Sequence, residues 1–231
     1  MNTFLHTFRL CLGLLLLSGL MGIAQAQDMG EVIRSQNMPL YPAGTRIPMQ
    51  AEINTGARQK IAIRTAQGDV LIAGQNANIK LVKPGFFSHF FGKIYYFISP
   101  RQANEVSITT STATIGIRGT KFIIDSADND QLQDRVSLVE GRLNFVSNDD
   151  AQFEHYQQRE LNEFELYKRQ QIAEFAEYKQ HMIEEFVAYK ASIDLDAGYE
   201  LVFDGKKVTQ RPLAEERMSE IEEFEQFIAA N

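Results

Sequence analysis

The segment from Ile108 to Ile124 constrains the fold of this 231-residue chain more than any other part of the sequence. Its apolar residues alternate with small polar ones up to Ile117, which is the pattern of a half-buried strand. The alternation resumes at Phe122 with a slip of one position, and such a slip needs a turn or a bulge to absorb it. We predict a two-residue turn at Arg118-Gly119, with a strand bend or β-bulge as the alternative. This turn would place Ile117 opposite Thr120, Ile115 opposite Phe122 and Ala113 opposite Ile124.

The same phase argument applies at three other glycine-containing pairs, Gln67-Gly68, Glu140-Gly141 and Asp204-Gly205. Turns there would place Ile63 opposite Ile72, Leu138 opposite Leu143, Val136 opposite Phe145, and Leu201 opposite Val208. Only Asp-Gly is a strong hairpin signal by itself, because tight hairpin turns need positive φ. Short apolar segments separated by glycine and proline therefore predict an all-β domain over residues 27–147.

The N-terminal residues have the pattern of an export signal rather than of a folded element. Leu10–Ile23 is apolar and is followed by Ala24-Gln25-Ala26, an A-x-A cleavage pattern with Ala24 and Ala26 at the small positions. The stretch is shorter than the ~20 residues that span a bilayer. We predict a signal peptide over residues 1–26 and a periplasmic or secreted protein, with an uncleaved signal-anchor as the alternative. Cys11 would leave with the signal, which excludes a thiol nucleophile or a cysteine zinc site.

Charge is divided unequally along the chain. Residues 27–150 carry 13 basic and 12 acidic groups, whereas residues 151–231 carry 9 basic and 18 acidic groups. Neither part is a basic surface of the kind that neutralises phosphates, so nucleic acid is not an expected partner. The acidic part would also be repelled by anionic lipid, which leaves an uncleaved signal-anchor as the only expected membrane contact.

Between Gly141 and Gly198 the chain has no glycine or proline and contains an 11-residue repeat of Phe-x-x-Tyr. The repeat residues are Phe153 and Tyr156, Phe164 and Tyr167, Phe175 and Tyr178, and Phe186 and Tyr189. Eleven residues make almost three helical turns, so the repeat predicts a long amphipathic helix over residues 148–198 with an aromatic stripe. Such a stripe needs a cover, which could be the β domain, a second copy of the chain or another protein.

The last part, residues 199–231, is expected to form a short β-hairpin and a short acidic helix. Pro212 precedes the helix, which should run from Leu213 to about Ala229. Its apolar face consists of Ile221, Phe224, Phe227 and Ile228. The predicted fold class is therefore α+β: an all-β domain of short antiparallel strands and hairpins, followed by the long amphipathic helix, the short hairpin and the C-terminal helix.

The strand segment and its continuation resemble the signature of the FecR-domain family. The residues that carry the resemblance are Gly116, Arg118, Gly119, Thr120 and Phe122, followed by Glu140 and Gly141. The resemblance covers about residues 40–146 and implies a periplasmic or secreted β domain without catalysis, in which these motif residues are structural. Some family members are sensors that hold a cytoplasmic anti-sigma segment, cross the inner membrane once and relay a signal from an outer-membrane receptor. Only about ten residues precede the apolar stretch here, so this chain looks more like the stand-alone exported members.

Residues with catalytic or metal-binding chemistry are sparse. His89, His155 and His181 do not have helix ligand spacing, and no serine has a nucleophile-elbow pattern. One oxygen-rich cluster comprises Asp125, Asp128, Asn129 and Asp130, but its spacing does not fit an EF-hand loop and such polar turns are common between strands. No catalytic residue, metal site or cofactor is predicted. Clustered aromatics at residues 85–97 are expected to be mostly core, with one or two exposed rings.

These features predict a non-enzymatic binding or scaffold protein of the cell envelope. A protein partner or self-association is expected, with the aromatic repeat as the candidate interaction stripe and an envelope glycan as another ligand. The first alternative is a periplasmic signal-sensing component that partners a membrane protein, as in anti-sigma-type regulation. The second alternative is an envelope hydrolase acting through one of the carboxylates.

Overall fold

A computed structural model describes residues 28–100, 106–128, 133–149, 151–157 and 186–229. These residues form fifteen strands and one helix. The strands are β1 (Asp28–Gln36), β2 (Arg46–Pro48), β3 (Glu52–Asn54), β4 (Lys60–Thr65), β5 (Val70–Ala73), β6 (Asn78–Lys83), β7 (Phe86–Ile98), β8 (Val106–Thr109), β9 (Ala113–Ser126), β10 (Asp134–Ser147), β11 (Phe153–Gln157), β12 (Phe186–Lys190), β13 (Ser192–Asp196), β14 (Tyr199–Asp204) and β15 (Lys207–Pro212), and the helix is α1 (Glu215–Ala229).

All fifteen strands belong to one hydrogen-bonded sheet that forks into two layers. The fork arises because β7, β9 and β10 each have different neighbours along their two halves. The layer that we call the open layer contains β3, β6, the first half of β7, β8, the first half of β9, the second half of β10 and β13. The layer that we call the covered layer runs β12-β11-β15-β14, then the other halves of β10, β9 and β7, then β5-β4-β1-β2.

Two bulges bend β9 and β10 where the layers separate. In the first, Arg118 is paired with Arg142 and Lys121 with Glu140, so two residues of β9 lie opposite Gly141 alone. In the second, Val139 is an extra residue of β10, because its neighbours in β10 pair with two consecutive residues of β9. Gly119 has φ of 59° and Gly141 has φ of 95°, a region that side chains with a Cβ rarely adopt. A Cβ on Gly141 would lie 2.3 Å from the Gly119 carbonyl oxygen, so only glycine fits there.

The predicted hairpin turns at Arg118-Gly119 and Glu140-Gly141 are therefore wrong. The slip in the alternation is real, but bulges within two long strands absorb it, and β9 and β10 pair with each other along most of their length. At Gln67-Gly68 a hairpin does connect β4 and β5, although Ile63 lies opposite Leu71 rather than Ile72. The one-residue difference arises because the connection holds three residues, with the Thr65 amide bonded to the Asp69 carbonyl at 2.8 Å.

The main core lies between the two layers, and a second, smaller apolar cluster lies on the other face of the covered layer. Along β4, Ile61 and Ile63 enter the main core while Ala62 faces the second cluster. In β5 all four residues are buried, because one face meets the main core and the other meets α1. Strands buried on both faces lose the polar alternation that marks a one-sided strand.

The helix predicted over residues 148–198 is wrong in the described part, which is mostly strand. Phe153–Gln157 forms β11, and Phe186–Lys190 and Ser192–Asp196 form β12 and β13. Tertiary pairing overrides helix propensity here, because β11 lies between β12 and β15 and satisfies its backbone groups on both sides. Residues 158–185, which hold the middle of the predicted helix, lie outside the described residues.

The α+β fold class is also wrong, since the described chain is a β protein with one C-terminal helix. The predicted separate hairpin is instead part of the covered layer: β14 and β15 pair with each other between β10 and β11, and Leu201 lies opposite Gln210 rather than Val208. The C-terminal helix is confirmed as α1, two residues shorter at its start than expected. Within the described residues, no helix is long and apolar enough to cross a membrane.

Candidate functional site

Helix α1 packs on the outer face of the covered layer through its apolar side. Ile221 and Phe224 are buried there against Ala62, Val70 and Ile72. The Phe224 ring stacks on Tyr95 with 5.9 Å between ring centroids, and the Tyr95 hydroxyl donates to Glu225 at 3.0 Å. Burial and the Glu225 carboxylate together raise the pKa of Tyr95, so this hydroxyl remains a donor at every physiological pH.

A cluster of ion pairs fixes the first half of α1 to the sheet. Arg217 is 8% exposed and contacts Glu220 on its own helix and Asp125 of β9, the latter at 3.4 Å. Lys93 of β7 lies 2.7 Å from Glu220. Burial alone would raise the pKa of Glu220, but the hydrogen bonds and charges of Lys93 and Arg217 outweigh it and hold that pKa below its ordinary value.

The buried carboxylate of Glu200 extends this cluster into β14. Glu200 is 1% exposed, and both of its oxygens have donors: Arg211 contacts one, and the Ser137 hydroxyl donates to the other at 3.0 Å. Arg217 approaches Glu200 at 3.9 Å. A buried charge is tolerated only when it is paired and hydrogen-bonded, and this cluster satisfies that condition.

Beside the C-terminal end of α1 the covered layer forms an open cleft of about 880 Å³. Its floor is partly aromatic, from Tyr95 and Phe97. Its charged lining residues are Glu31, Arg34, Arg64, Lys121 and Glu225, and its remaining walls are Val32, Ile33, Ala43, Gly44, Ile228 and Ala229. An apolar floor with a few polar groups is typical of sites that bind small molecules or peptide segments.

Two of the three cations in the cleft lack an acidic partner among the described residues. Lys121 is paired with Glu225 at 3.3 Å. The Arg34 guanidinium lies 5.0 Å from the centre of the Phe227 ring, and its Nη1 atom is buried without a hydrogen-bond partner. Arg64 is exposed at the cleft, and no salt bridge joins it to Glu31 on the neighbouring strand. The cleft therefore offers unused guanidinium donors beside apolar surface, a combination that suits a carboxylate on a partly apolar ligand.

None of the family-motif residues lines this cleft, although Glu140 contacts the cleft residue Lys121, and they divide into two groups. Gly119, Gly141, Thr120 and Phe122 form the bend: Thr120 is buried beside Gly141, and Phe122 stacks on Tyr96 with centroids 5.0 Å apart. Gly116, Arg118 and Glu140 are at least partly exposed on the strands. Glu140 lies 3.7 Å from Lys121.

The structure places only part of the aromatic repeat. Phe153 is buried in the main core and meets Phe203 edge-on at 5.7 Å, while Tyr156 is half-buried with Lys207 4.5 Å from its ring centre. Phe186 and Tyr189 belong to β12. The remaining repeat residues, Phe164, Tyr167, Phe175 and Tyr178, and the cleavage-site residues Ala24 and Ala26 lie outside the described residues.

Both described histidines have their hydrogen bonds inside the protein, and neither lines the cleft. His89 is fully buried, with Nε2 3.0 Å from the Gly92 carbonyl and Nδ1 2.9 Å from the Tyr96 hydroxyl. A carbonyl only accepts, so Nε2 carries the proton and Nδ1 accepts from Tyr96. Burial lowers the pKa of His89 to about 4. His155 Nε2 lies 3.0 Å from Gln210, and burial lowers the pKa of this histidine as well.

The oxygen-rich cluster considered for calcium is only partly described. Asp125 is engaged by Lys93 and Arg217, and Asp128 is exposed. Asn129 and Asp130 lie outside the described residues. Across the described ranges, no group of three or more histidine, cysteine or acidic side chains is placed to hold a metal ion.

Sequence reasoning missed the cleft and its cations. Arg34, Arg64 and Lys121 come from three strands that are distant in sequence, so no local spacing connects them. Each of these cations lies on a strand beside apolar residues, and that pattern is too common to locate a cleft.

Comparisons with known proteins identify the fold but no family. Neither a protein-family model nor a curated protein sequence matches the chain. A crystal structure from Parabacteroides distasonis, provisionally described as an anti-sigma factor, matches 74% of this chain with a TM-score of 0.50 and 8% sequence identity. A second crystal structure with the same description matches 73% of the chain with a TM-score of 0.49 and 8% identity. The chain spans 63% of the length of each matched structure. At 8% identity, the match with a TM-score of 0.50 concerns the fold alone.

Proposed function

We propose that this chain is a non-enzymatic binding protein of the cell envelope, exported by its N-terminal segment, and that the cleft beside α1 holds a protein partner. The cleft is the observation that carries the proposal. It combines an aromatic floor with two arginines that have no acidic partner among the described residues. Since neither described histidine lines it, the arrangement favours binding over catalysis.

The partner group that fits best is a carboxylate on an extended peptide segment. Arg34 and Arg64 can donate to such a group from the two neighbouring strands β1 and β4. The half-exposed side chains of Phe97 and Ile228 would contact the apolar residues beside it. Charge-assisted hydrogen bonds from arginine are about twice as strong as neutral ones, so the arginines should dominate specificity.

A sensing role is the second candidate. The matched crystal structure with a TM-score of 0.50 is described as an anti-sigma factor, so regulation of that type, here through a membrane-protein partner, is the alternative to the scaffold role. In that case the occupant of the cleft would belong to a membrane protein. In the scaffold role it would belong to a soluble envelope protein.

Photo-crosslinking in cells tests the proposal. A photoreactive amino acid in place of Ala229, an exposed residue of the cleft, should give one defined protein adduct. The same amino acid in place of Asp204, the exposed last residue of β14, is the matched control and should give none. Adding Arg34→Gln and Arg64→Gln should reduce the Ala229 adduct at least fivefold.

Identical adducts from both positions, or an Ala229 adduct that is unchanged without the two arginines, would rule out the cleft as the binding site. Mass spectrometry of the adduct decides between the two roles. A membrane-protein peptide supports sensing, and a peptide from a soluble envelope protein supports a scaffold.

A further inference from the structure

A second surface of the protein, the outer face of the open layer, has features that neither the core nor the cleft explains. One row of residues crosses five strands in continuous register. Its members, in order across the strands, are Phe86, Ser107, Gly116, Asn144 and Asp194. At about 4.8 Å between strands, this row is roughly 19 Å wide.

A parallel row extends the same face. Its members are Glu52, Lys80, Ser88, Thr109, Thr114, Val146 and Ser192. Every member is at least partly exposed, and most of the side chains are small and polar. The charges near the face largely cancel, because Glu52 is paired in register with Lys80 and the Arg142 Nε atom lies 3.1 Å from Asp196. The face therefore presents mostly small polar side chains and is close to neutral.

Two aromatic rings border this face. Phe86 and Phe90 are 39% and 47% exposed, although large apolar side chains on a strand are normally turned inward. They occupy exposed alternate positions of β7, four residues and about 13 Å apart, and Phe90 lies at a bulge in the pairing with β6. Lys83 lies 4.0 Å from the centre of the Phe86 ring and holds it on one side. Exposed rings beside a polar surface are available to stack on a ligand.

Gly116, in the middle of the first row, has no reason in the described fold to be glycine. Its φ is outside the left-handed region, and an added Cβ would meet only the Asn144 carbonyl oxygen, at an ordinary contact distance of 3.8 Å. Glycine within a strand weakens it, and one use for such a residue is to let a ligand approach the backbone closely. Gly119 and Gly141, by contrast, are required by the bend.

From these observations we propose that the outer face of the open layer binds an uncharged β-1,4-linked oligosaccharide. Such a chain is flat, has apolar C–H faces that stack on aromatic rings, and carries hydroxyl groups along its edges. Phe86 and Phe90 would stack on sugar rings, and Ser107, Thr109 and Asn144 would hydrogen-bond the hydroxyls. Gly116 leaves room for the sugar to lie directly on the sheet.

Titration of the purified protein with cellohexaose and with chitohexaose, followed by NMR chemical-shift changes, tests this inference. Binding of at least one sugar is expected, with the largest shifts in β7, β8 and β9. Gly116→Thr should weaken binding at least tenfold while leaving the melting temperature unchanged or higher, because threonine favours a strand. Phe90→Ser should also weaken binding, without unfolding the protein.

Gly56→Thr is the matched control. Gly56 is exposed, has an ordinary φ and lies outside both rows, in the loop after β3, so this variant should retain wild-type affinity. Binding of neither sugar would overturn the proposal, as would full binding by folded Gly116→Thr. A large fall in the melting temperature of Gly116→Thr would also overturn it, because the fold would then explain the glycine. None of these results depends on the crosslinks at Ala229.

Discussion

The open layer and the covered layer share three strands but bury them differently. In the covered layer, Val70–Ala73 is apolar without interruption because the main core lies on one side and α1 on the other. In the open layer, β8 alternates as Val106, Ser107, Ile108 and Thr109, since only one face is buried. The difference shows that one strand, such as β9, can change from one-sided to two-sided burial at a bulge without ending.

The two layers also use charge differently. The covered layer has a partly buried ion-pair cluster, centred on Arg217, that joins α1 to the sheet. The open layer has exposed pairs such as Arg142 with Asp196, which are worth at most about 1 kcal/mol. We expect the free energy of unfolding to fall most for substitutions at the bend, where a Cβ does not fit on Gly141. Substitutions beneath α1 should have a moderate effect, and those on the outer face of the open layer a weak one.

The largest effect is expected at the bend, which both layers share. Gly141→Ala would place a Cβ 2.3 Å from the Gly119 carbonyl oxygen at a φ of 95°. We expect the free energy of unfolding to fall by more than about 4 kcal/mol, measured by urea denaturation. Gly198→Ala is the control: its φ is similar, but no atom lies within 4 Å of the added Cβ, so the loss should be about 1–2 kcal/mol. Equal losses at the two positions would contradict the steric account of the bend.

Truncation beneath α1 should come next. Phe224→Ala removes a ring that stacks on Tyr95 and is 6% exposed, so we expect a loss of about 3 kcal/mol in the free energy of unfolding. Because α1 covers only one face of the sheet, the main core should remain folded. Hydrogen exchange should then show faster exchange in α1 at low denaturant, with β9 still protected. Uniform loss of protection across both elements would show that the two layers unfold as one unit.

Acid should weaken the open layer at a higher pH than it weakens the α1 contact. His89 has a pKa of about 4 in the folded protein and 6.5 in the unfolded chain, so the unfolded state binds more protons between these values. Stability is therefore complete above pH 6.5 and falls as the pH decreases to about 4, by roughly 3 kcal/mol in total. Glu220, whose folded pKa is lowered, contributes stability above its ordinary pKa of 4.5, and that contribution is lost only at lower pH.

Denaturation at a series of pH values measures this effect, with His89→Gln as the comparison. The variant should be less stable at pH 7, because Tyr96 and Gly92 lose their partner, but its stability should change less between pH 6.5 and 4. His155, whose folded pKa is also lowered by burial, contributes to the pH dependence of stability that remains in the variant. If the variant and the wild type show the same pH dependence of stability, His89 is not its source.

The smallest effect is expected on the outer face of the open layer. Phe90→Ser removes a ring that is 47% exposed, so the free energy of unfolding should change by less than about 0.5 kcal/mol. A loss above about 1.5 kcal/mol in urea denaturation would mean that the ring contributes to the core, and the two layers would then differ less in how they respond to substitution.

The sequence predicted β structure and α1 because both depend on local signals. Alternation defined the half-buried strands, and Pro212 followed by a periodic apolar face defined the helix. The slip near Gly119 was visible as well, but a turn and a bulge absorb it equally well in a period-two pattern. The structure shows a bulge and not a turn, because Leu143 pairs with Ile117 and Leu138 pairs with Phe122. This pairing joins two strands, and the local pattern of either strand does not contain it.

The 11-residue repeat misled because its spacing fits a helix and local pattern cannot reveal a distant partner. β11 is a strand because β15, about fifty residues away in sequence, lies parallel to it. Ser192–Asp196 did contain a usable signal, since Ile193 and Leu195 alternate with polar residues and are buried. The cleft was unpredictable for the same reason as β11, because its cations come from three separate strands.

The pairing of Gln157 with Phe186 at the end of the β11–β12 ladder has a consequence for how this protein can change in length. Gln157 and Phe186 lie opposite each other, so the 28 residues between them begin and end at adjacent positions on the sheet. A change in the number of residues between these two positions would leave every described strand pairing in place. The number of 11-residue units can therefore change without a new path for the chain across the sheet.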